Sequence, residues 1–189
     1  MNRRSFVTTI GTAAFLAACT TTNPNTAPSD LADKRASINA NVREAMSRLY
    51  AQDPASRDLV SKARGVLVFP SVIAAGFVVG GSYGEGALLV GGRTAAYYST
   101  TAASVGLLAG AESKAVYVLF MTDAALEKFR ASNGWTAGVD ASVSVLKAGA
   151  SANIDTQTAQ QPVVGYVLTN AGLMANLSID GTKVQRMNV

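Results

Sequence analysis

The stretch GFVVGGSYGEGALLVGG, residues 76–92, decides the fold of this chain. It holds seven glycines among mostly apolar residues. A glycine inside a helix costs up to about 1 kcal/mol relative to alanine, so this density of glycine excludes a helix. In an apolar β segment, glycines mark tight turns, bulges and places where two backbones approach closely. The stretch therefore predicts the strongly curved centre of a β-sheet.

Strand patterns continue on both sides of this centre. Short apolar or alternating runs predict strands at 66–69 (ended by Pro70), 93–100, 104–110, 114–121, 139–145, 173–179 and 183–189. The run 139–145 alternates valine or alanine with polar residues, which is the clearest period-two pattern in the chain. Asp180-Gly181 predicts a tight hairpin turn into the last strand.

Three helices are predicted around these strands. The first covers 31–50 and buries Ile38, Val42, Ala45, Met46 and Leu49, which follow helical spacing. The second starts with Asp53-Pro54 as N-cap and first residue, ends near residue 63, and turns Leu59, Val60 and Ala63 inward. The third covers 124–131 after a Thr122-Asp123 cap, with Leu126 and Phe129 inward. The expected class is α+β: N-terminal helices, then a mainly antiparallel, strongly curved or barrel-like sheet with one inserted helix.

The N-terminus carries an export pattern. Arg3 and Arg4 precede an apolar run of 13 residues from Phe6 to Ala18, too short for a membrane span. The ending LAAC (16–19) resembles the lipobox of bacterial lipoproteins, and that resemblance implies cleavage before Cys19 and its acylation, with palmitate among the acyl chains. The alternative is an ordinary secreted protein with an unrelated cysteine at this position.

This interpretation divides the chain into a signal peptide (1–18), a polar, disordered tether (19–29) and a single domain (30–189). The mature protein would lie in the cell envelope, anchored by lipid. Residue 20 is Thr rather than Asp, which by resemblance favours the outer membrane, facing the periplasm. The Arg3-Arg4 pair leaves open whether export uses the general secretory or the twin-arginine route.

Composition excludes most catalytic chemistry. The chain has no histidine and one cysteine, which rules out histidine-dependent triads, histidine-ligated metals and cysteine clusters. The glycine-rich stretch lacks the Lys-Ser or Lys-Thr that ends a phosphate-binding loop. SVLK (144–147) matches the S-x-x-K signature, but it ends a predicted strand, where i and i+3 face opposite sides. We therefore expect no enzyme activity, no metal and no cofactor.

The basic residues concentrate in the predicted helical region. Seven lie between residues 34 and 64, against three acidic residues, giving this region a net charge of +4. They are the candidate lipid-binding residues: Lys34, Arg35, Arg43, Arg48, Arg57, Lys62 and Arg64. A cationic helix face near anionic lipid gains about 1 kcal/mol per residue; a solvated helix face is the alternative. Tyr50 is the one aromatic residue in this region, too few for the interleaving that nucleic-acid binding would require, so no nucleic-acid partner is expected.

Two further residues have open interpretations. Glu85 lies between two glycines and is either a turn carboxylate, in solvent or paired with Arg93, or a buried acid that binds an ion. Trp135 either caps the core where helix meets sheet or anchors the protein at a membrane interface.

The glycine-rich centre, taken with its surroundings, resembles the SYLF family. The matching segments are ARGVLVFP (63–70), AGF (75–77), GGSYGEGAL (80–88), YYS (97–99), GL (106–107), FMT (120–122), AL (125–126), F (129), GW (134–135), GVDASV (138–143) and GLM (172–174). The resemblance covers about residues 58 to 187. The family includes bacterial lipoproteins and the lipid- and actin-binding domain of yeast actin-patch proteins.

This resemblance implies phospholipid binding, with a preference for anionic headgroups, and it supplies no catalytic residues. Actin binding belongs to the yeast branch and is not expected here. Bacterial members often read GLQxGAQ where this chain has GLLAGAE (106–112), so two amides have become an apolar and an acidic side chain.

Two functions follow from the sequence. The first is a membrane-anchored lipoprotein whose domain binds membrane phospholipid without catalysis. The second is a scaffold that docks an envelope protein and reaches the membrane only through Cys19. The sequence leaves open which lipid or partner is bound, the oligomeric state, and whether the sheet closes into a barrel.

Overall fold

The computed structural model describes residues 28–76, 79–105, 110–132, 134–145, 161–169, 172–173 and 181–189. The helices are α1 (Pro28–Gln52), α2 (Ser56–Lys62) and α3 (Asp123–Ala131). The strands are β1 (Gly65–Gly76), β2 (Val79–Val90), β3 (Arg93–Val105), β4 (Gly110–Phe120), β5 (Trp135–Thr136), β6 (Ser144–Val145), β7 (Val163–Thr169), β8 (Gly172–Leu173) and β9 (Lys183–Arg186).

All nine strands belong to one curled sheet. Its order is β5-β9-β3-β2-β1-β4-β7-β6, and β8 pairs with β7. Every pairing is antiparallel except that of β6 with β7. With the helices this is an α+β fold in which the sheet forms a strongly curled half-barrel, as the sequence predicted.

The centre of the sheet is buried on both faces. Tyr117 and Leu119 of β4 pack in the cluster that α1 and α2 cover, while Val118 and Phe120 face the cluster that α3 covers. A strand buried on both sides loses polar alternation, because neither face meets water. This explains the continuous apolar runs of β1, β4 and β7.

The helix predictions are confirmed in position, with one change at a cap. Of the residues predicted to turn inward from α2, Leu59 is buried, whereas Val60 and Ala63 are partly buried and pack against the core cluster under α1. The five predicted α1 residues are buried, and so are Leu126 and Phe129 of α3, whose N-cap Thr122 accepts a hydrogen bond from the Ala125 amide. Asp53 is not the N-cap of α2. Residues 53–55 form a turn, in which the Asp53 carbonyl accepts hydrogen bonds from the Ser56 amide and hydroxyl, and the cap position falls on Ala55.

Pro70 does not end β1. The strand continues to Gly76, and its register to both neighbouring strands shifts around Phe69 and Pro70. A bulge of this kind tolerates proline because the bulged residue need not donate to the ladder.

The segments after the bulge are longer strands than predicted. The glycine-rich stretch contributes β2 as one strand, followed by a turn at Gly91 and Gly92, whose φ angles are 57° and 76°. This two-residue turn joins β2 to β3, which continues through the predicted break at residues 101–103 to Val105. Of the predicted strand 104–110, the first two residues end β3 and Gly110 begins β4; residues 106–109 lie outside the described ranges.

The strand predicted at 139–145 is wrong for most of its length. Val139 is 80% exposed in a turn, and only Ser144–Val145 pair as β6. The Asp140 carboxylate accepts a hydrogen bond from the Thr136 amide at 2.6 Å, and Gly138 has a φ of 81°. A carboxylate that accepts a hydrogen bond from a backbone amide takes that amide away from strand pairing. The alternation of apolar and polar residues does not reveal such a hydrogen bond.

Other predictions are tested only in part. Gly181 has the positive φ of a turn residue (77°), and β9 pairs with β3 and β5. Its predicted hairpin partner falls largely on residues 174–180, outside the described part of the chain. The signal peptide, Cys19 and the tether up to residue 27 also lie outside it, as does Lys147 of the S-x-x-K match; α1 itself begins at Pro28.

Candidate functional site: a cationic groove beside helix α1

A groove of about 880 Å³ runs between α1, α2 and the β2–β3 turn. One stripe of α1 forms a wall, because Asn39, Arg43, Met46, Ser47 and Tyr50 recur every three or four residues. The volume lies within the range of small-molecule sites, about 300–1,000 Å³. The groove is therefore large enough for a lipid headgroup and its glycerol.

The floor of the groove is apolar. Val42 and Val66 are buried in the core cluster under α1, and Val60 and Leu89 pack against it while partly exposed. The hydrophobic core thus reaches the surface at this point. An amphipathic ligand would find an apolar base here.

Two arginines line the same groove. Arg43 comes from α1 and Arg57 from α2, and both side chains are exposed. The Arg57 guanidinium lies 4.4 Å from the centre of the Tyr50 ring, which orients it by a cation–π contact. Burial raises the pKa of Tyr50, and the positive charge of Arg57 opposes that rise. The groove thus combines positive charge with apolar surface.

Two polar hydrogen bonds join the groove wall to β3. Thr94 Oγ1 donates to Asn39 Oδ1, and Asn39 Nδ2 donates to the Tyr97 hydroxyl, both at 2.9 Å. These bonds tie α1 to β3 and hold the groove wall in place.

The structure separates the seven predicted lipid-binding cations. Arg43 and Arg57 share the groove, whereas three others have different contacts. Lys34 Nζ lies 2.9 Å from the Glu85 carboxylate, and Arg64 Nε lies 3.5 Å from that of Asp123. Arg48 donates to the Pro70 carbonyl at 3.3 Å and lies 4.0 Å from the Glu44 carboxylate. Arg35 lines a different cleft, and Lys62 is exposed at the end of α2, outside the groove lining.

Glu85 does not pair with Arg93. Its Oε1 accepts hydrogen bonds from Lys34 Nζ and, at 2.7 Å, from the Tyr83 hydroxyl. Burial acts to raise the pKa of Glu85, but these two bonds and the Lys34 charge outweigh it, so the pKa is lowered. Lys34 is distant in sequence, which is why a local pattern could not identify it as the partner.

Trp135 belongs to the core. It is 2% exposed, and its ring meets Phe120 and Phe129 edge-on, at centroid distances of 6.2 and 5.6 Å. The interpretation as a core cap is confirmed.

Neither a metal cluster nor a membrane span occurs in the described ranges. There, no three Cys, Asp or Glu side chains come close enough to hold a metal ion. No helix of this part is both long and apolar enough to cross a bilayer.

Sequence reasoning missed the groove itself. The stripe that contains Arg43, Met46 and Tyr50 is visible in the sequence as helical spacing. Its pairing with Arg57 and Leu89 depends on tertiary packing, which brings α2 and the β2–β3 turn beside it.

The C-terminal part of the chain matches a known domain family. The family model described as Ysc84, a Las17-binding protein actin regulator, matches residues 101–188. This match covers slightly less than half of the chain and confirms the resemblance to the SYLF family, whose domain is of the lipid- and actin-binding type in general. A comparison with curated proteins found no match.

Proposed function

We propose that this protein is a non-enzymatic lipoprotein of the cell envelope whose domain binds the headgroup of an anionic membrane phospholipid. The observation that carries the proposal is the groove in which Arg43 and Arg57 lie beside an apolar floor. A phospholipid presents the same two features, since its phosphate is anionic and the carbons of its glycerol and acyl chains are apolar. The groove residues fall before residue 101, so their role is inferred from geometry and not from the family match.

The N-terminal sequence supports the location. Cys19 ends a lipobox-like run, and acylation there would hold the protein at a membrane, with two chains needed for stable attachment. From Cys19 to Pro28 the chain is short, so the groove would stay near the bilayer surface, at the outer membrane facing the periplasm. Actin, nucleic acid and a cofactor have no place in this proposal.

The test is vesicle co-sedimentation of residues 20–189, which lack the acylated cysteine. We expect binding to anionic vesicles and little binding to neutral ones, with affinity falling as salt rises because surface charges are screened. Changing both Arg43 and Arg57 to Gln should reduce binding about tenfold or more, as about 1 kcal/mol is lost per cation at the surface. Vesicle binding whose affinity changes neither with salt nor with these substitutions would contradict the proposal.

Matched controls come from the same region. Lys62→Gln and Arg93→Gln each remove one exposed positive charge outside the groove lining. The double variant of these two has the same net charge as the groove variant. Equal losses in both double variants would show a diffuse charge effect and no defined site.

A second candidate function, docking of an envelope protein, has one specific observation in its favour. Ile73 and Tyr83 are direct cross-strand partners and are 56% and 50% exposed. Neighbouring exposed apolar side chains of this size are typical of protein contacts. Cross-linking the domain in envelope extracts, with Ile73→Ser as the comparison, would test this function; loss of a captured partner in the variant would favour it.

A further inference from the structure

A second charged cleft lies on the other face of the sheet, away from the groove. It has a volume of about 310 Å³, and its lining includes Tyr98 of β3, Glu127 and Arg130 of α3, and Arg186 of β9. Tyr98 belongs to the core cluster under α3, whereas the groove opens beside α1. Nothing in the sequence pattern had singled out Arg130 or Arg186.

Backbone geometry leaves this cleft open. The register between β2 and β3 shifts where Leu88 faces Ala96 and Leu89 faces Thr94, so Ala95 is the extra residue of a bulge. Both Ala95 and Ala96 line the cleft, and methyl groups leave room that larger side chains would fill. Bulges are common where a protein redirects side chains beside a binding site.

Two arginines from separate elements line this cleft. Burial raises the pKa of the Tyr98 hydroxyl, while the charges of Arg186 and Arg130 act to lower it. Among the described residues, neither arginine forms an ion pair within 4.0 Å. Both retain hydrogen-bond donors for an anion, and guanidinium groups match phosphate geometry.

Glu127 gives the cleft a second chemical preference. It lies three residues before Arg130 on α3, so both side chains project from the same side of the helix. A carboxylate accepts hydrogen bonds from hydroxyl groups and repels a second anionic group. The cleft therefore favours a ligand with one phosphate and a free hydroxyl over a polyphosphate.

We propose that Arg130, Arg186 and Glu127 form a binding site for a small phosphate monoester that carries a free hydroxyl group. The two arginines donate hydrogen bonds to the phosphate oxygens, and the Glu127 carboxylate accepts a hydrogen bond from the hydroxyl group. The site is independent of the phospholipid groove. The ester is either a free metabolite or the headgroup of a lipid, since both present the same chemistry.

The test is calorimetric titration of the full-length chain, in non-ionic detergent, with glycerol 3-phosphate at constant ionic strength. We expect saturable binding of one equivalent. Arg186→Gln and Arg130→Gln should each weaken binding about tenfold or more, because each removes charge-assisted hydrogen bonds. Lys183→Gln, on the same strand as Arg186 but outside the cleft, is the matched control and should bind as the wild type does.

The Glu127→Gln variant distinguishes recognition of the hydroxyl group from recognition of the phosphate. It should bind inorganic phosphate at least as well as the wild type and lose the preference for glycerol 3-phosphate over phosphate. Circular dichroism of each variant checks that the fold is intact. Absent binding, or equal binding by the wild type and both arginine variants, would overturn the proposal.

Micelles containing lysophosphatidic acid, a phosphate monoester that keeps one free glycerol hydroxyl, identify the source of the ester. Displacement of glycerol 3-phosphate by these micelles, but not by phosphatidylcholine micelles, supports a lipid headgroup as ligand. Retention of glycerol 3-phosphate supports a free metabolite. The arginines of the groove provide a separate check, because Arg43→Gln with Arg57→Gln should leave this titration unchanged.

Discussion

At the scale of single residues, Gly86 shows why the centre of the sheet is rich in glycine. The β1 bulge at Phe69 and Pro70 lies directly opposite it. A Cβ atom at Gly86 would come within 2.7 Å of the Phe69 ring and closer still to the Val68 carbonyl. Glycine is needed here because the β1 backbone lies too close for a Cβ atom. The clash would be with backbone, which cannot move aside as the end of a flexible side chain can.

The first prediction concerns this position. Gly86→Ala should lower the free energy of unfolding by about 1–3 kcal/mol or more, because the added methyl group overpacks against backbone that cannot move freely. Urea denaturation followed by circular dichroism measures the change. Gly81→Ala is the matched control, since the nearest atom to its Cβ would be the Ala102 carbonyl oxygen at 3.7 Å. Equal effects at the two positions would contradict this account.

At the scale of elements, α1 is fastened to the sheet by polar contacts as well as apolar ones. Lys34 reaches Glu85 on β2, and the hydroxyl of Tyr117 on β4 donates to the Ala45 carbonyl at 2.7 Å. Burial, and the hydrogen bond and charge of Glu85, raise the pKa of Tyr83 to about 12, so its phenol stays a donor to Glu85 across the neutral range. These contacts hold the helix against the sheet near Lys34 and near Ala45.

The second prediction is a pH dependence of this fastening. Because the pKa of Glu85 is lowered in the folded state, its contribution to stability is present above the ordinary value of 4.5 and is lost as the pH falls through the folded value. The expected contribution is about 1 kcal/mol or less, since Lys34 and Glu85 keep 40% and 27% of their side-chain exposure.

Denaturation of the wild type and Glu85→Gln at pH 7 and pH 3 checks this prediction. The wild type should be the more stable at pH 7, and the difference should shrink at pH 3. Glu112→Gln, which removes an exposed carboxylate on β4, is the control. A difference that persists unchanged at pH 3 would contradict the role assigned to the Glu85 charge.

At the scale of the whole molecule, one sheet separates two cores. The first packs under α1 and α2 and the second under α3, and alternate residues of β1, β4 and β7 contribute to each. Neither core can be lost alone, because the same strands would then expose one apolar face to water. The described domain should therefore unfold as one unit.

The third prediction follows from this arrangement. Trp135, the single tryptophan, reports on the core under α3, while far-ultraviolet circular dichroism is sensitive to α1 on the other side. Urea denaturation curves from the two signals should coincide. Leu49→Ala, which creates a cavity under α1, should shift both curves by the same amount, equivalent to about 2–5 kcal/mol. A shift confined to the dichroism signal would show that the cores unfold separately.

The sequence predicted the helices and the class of the fold because those depend on local spacing. The buried faces of α1 and α3 follow from residues three and four apart, such as Val42 with Met46 and Leu126 with Phe129. The excess of glycine excluded a helix in the centre. Strand boundaries were less accurate, because the bulge at Pro70 and the Asp140 turn depend on partners outside each local window.

The candidate site also has some features that follow from local sequence and others that depend on residues distant in sequence. By itself the sequence determined that this is an α+β domain without histidine chemistry, with its positive charge in the helical region. Only the tertiary structure decided which charged residues lie together: Arg43 with Arg57 in the groove, Arg130 with Arg186 in the second cleft, and Lys34 with Glu85 as an ion pair. The physical reason is that a curled sheet brings side chains from distant strands and helices together, and no sequence spacing encodes those distances.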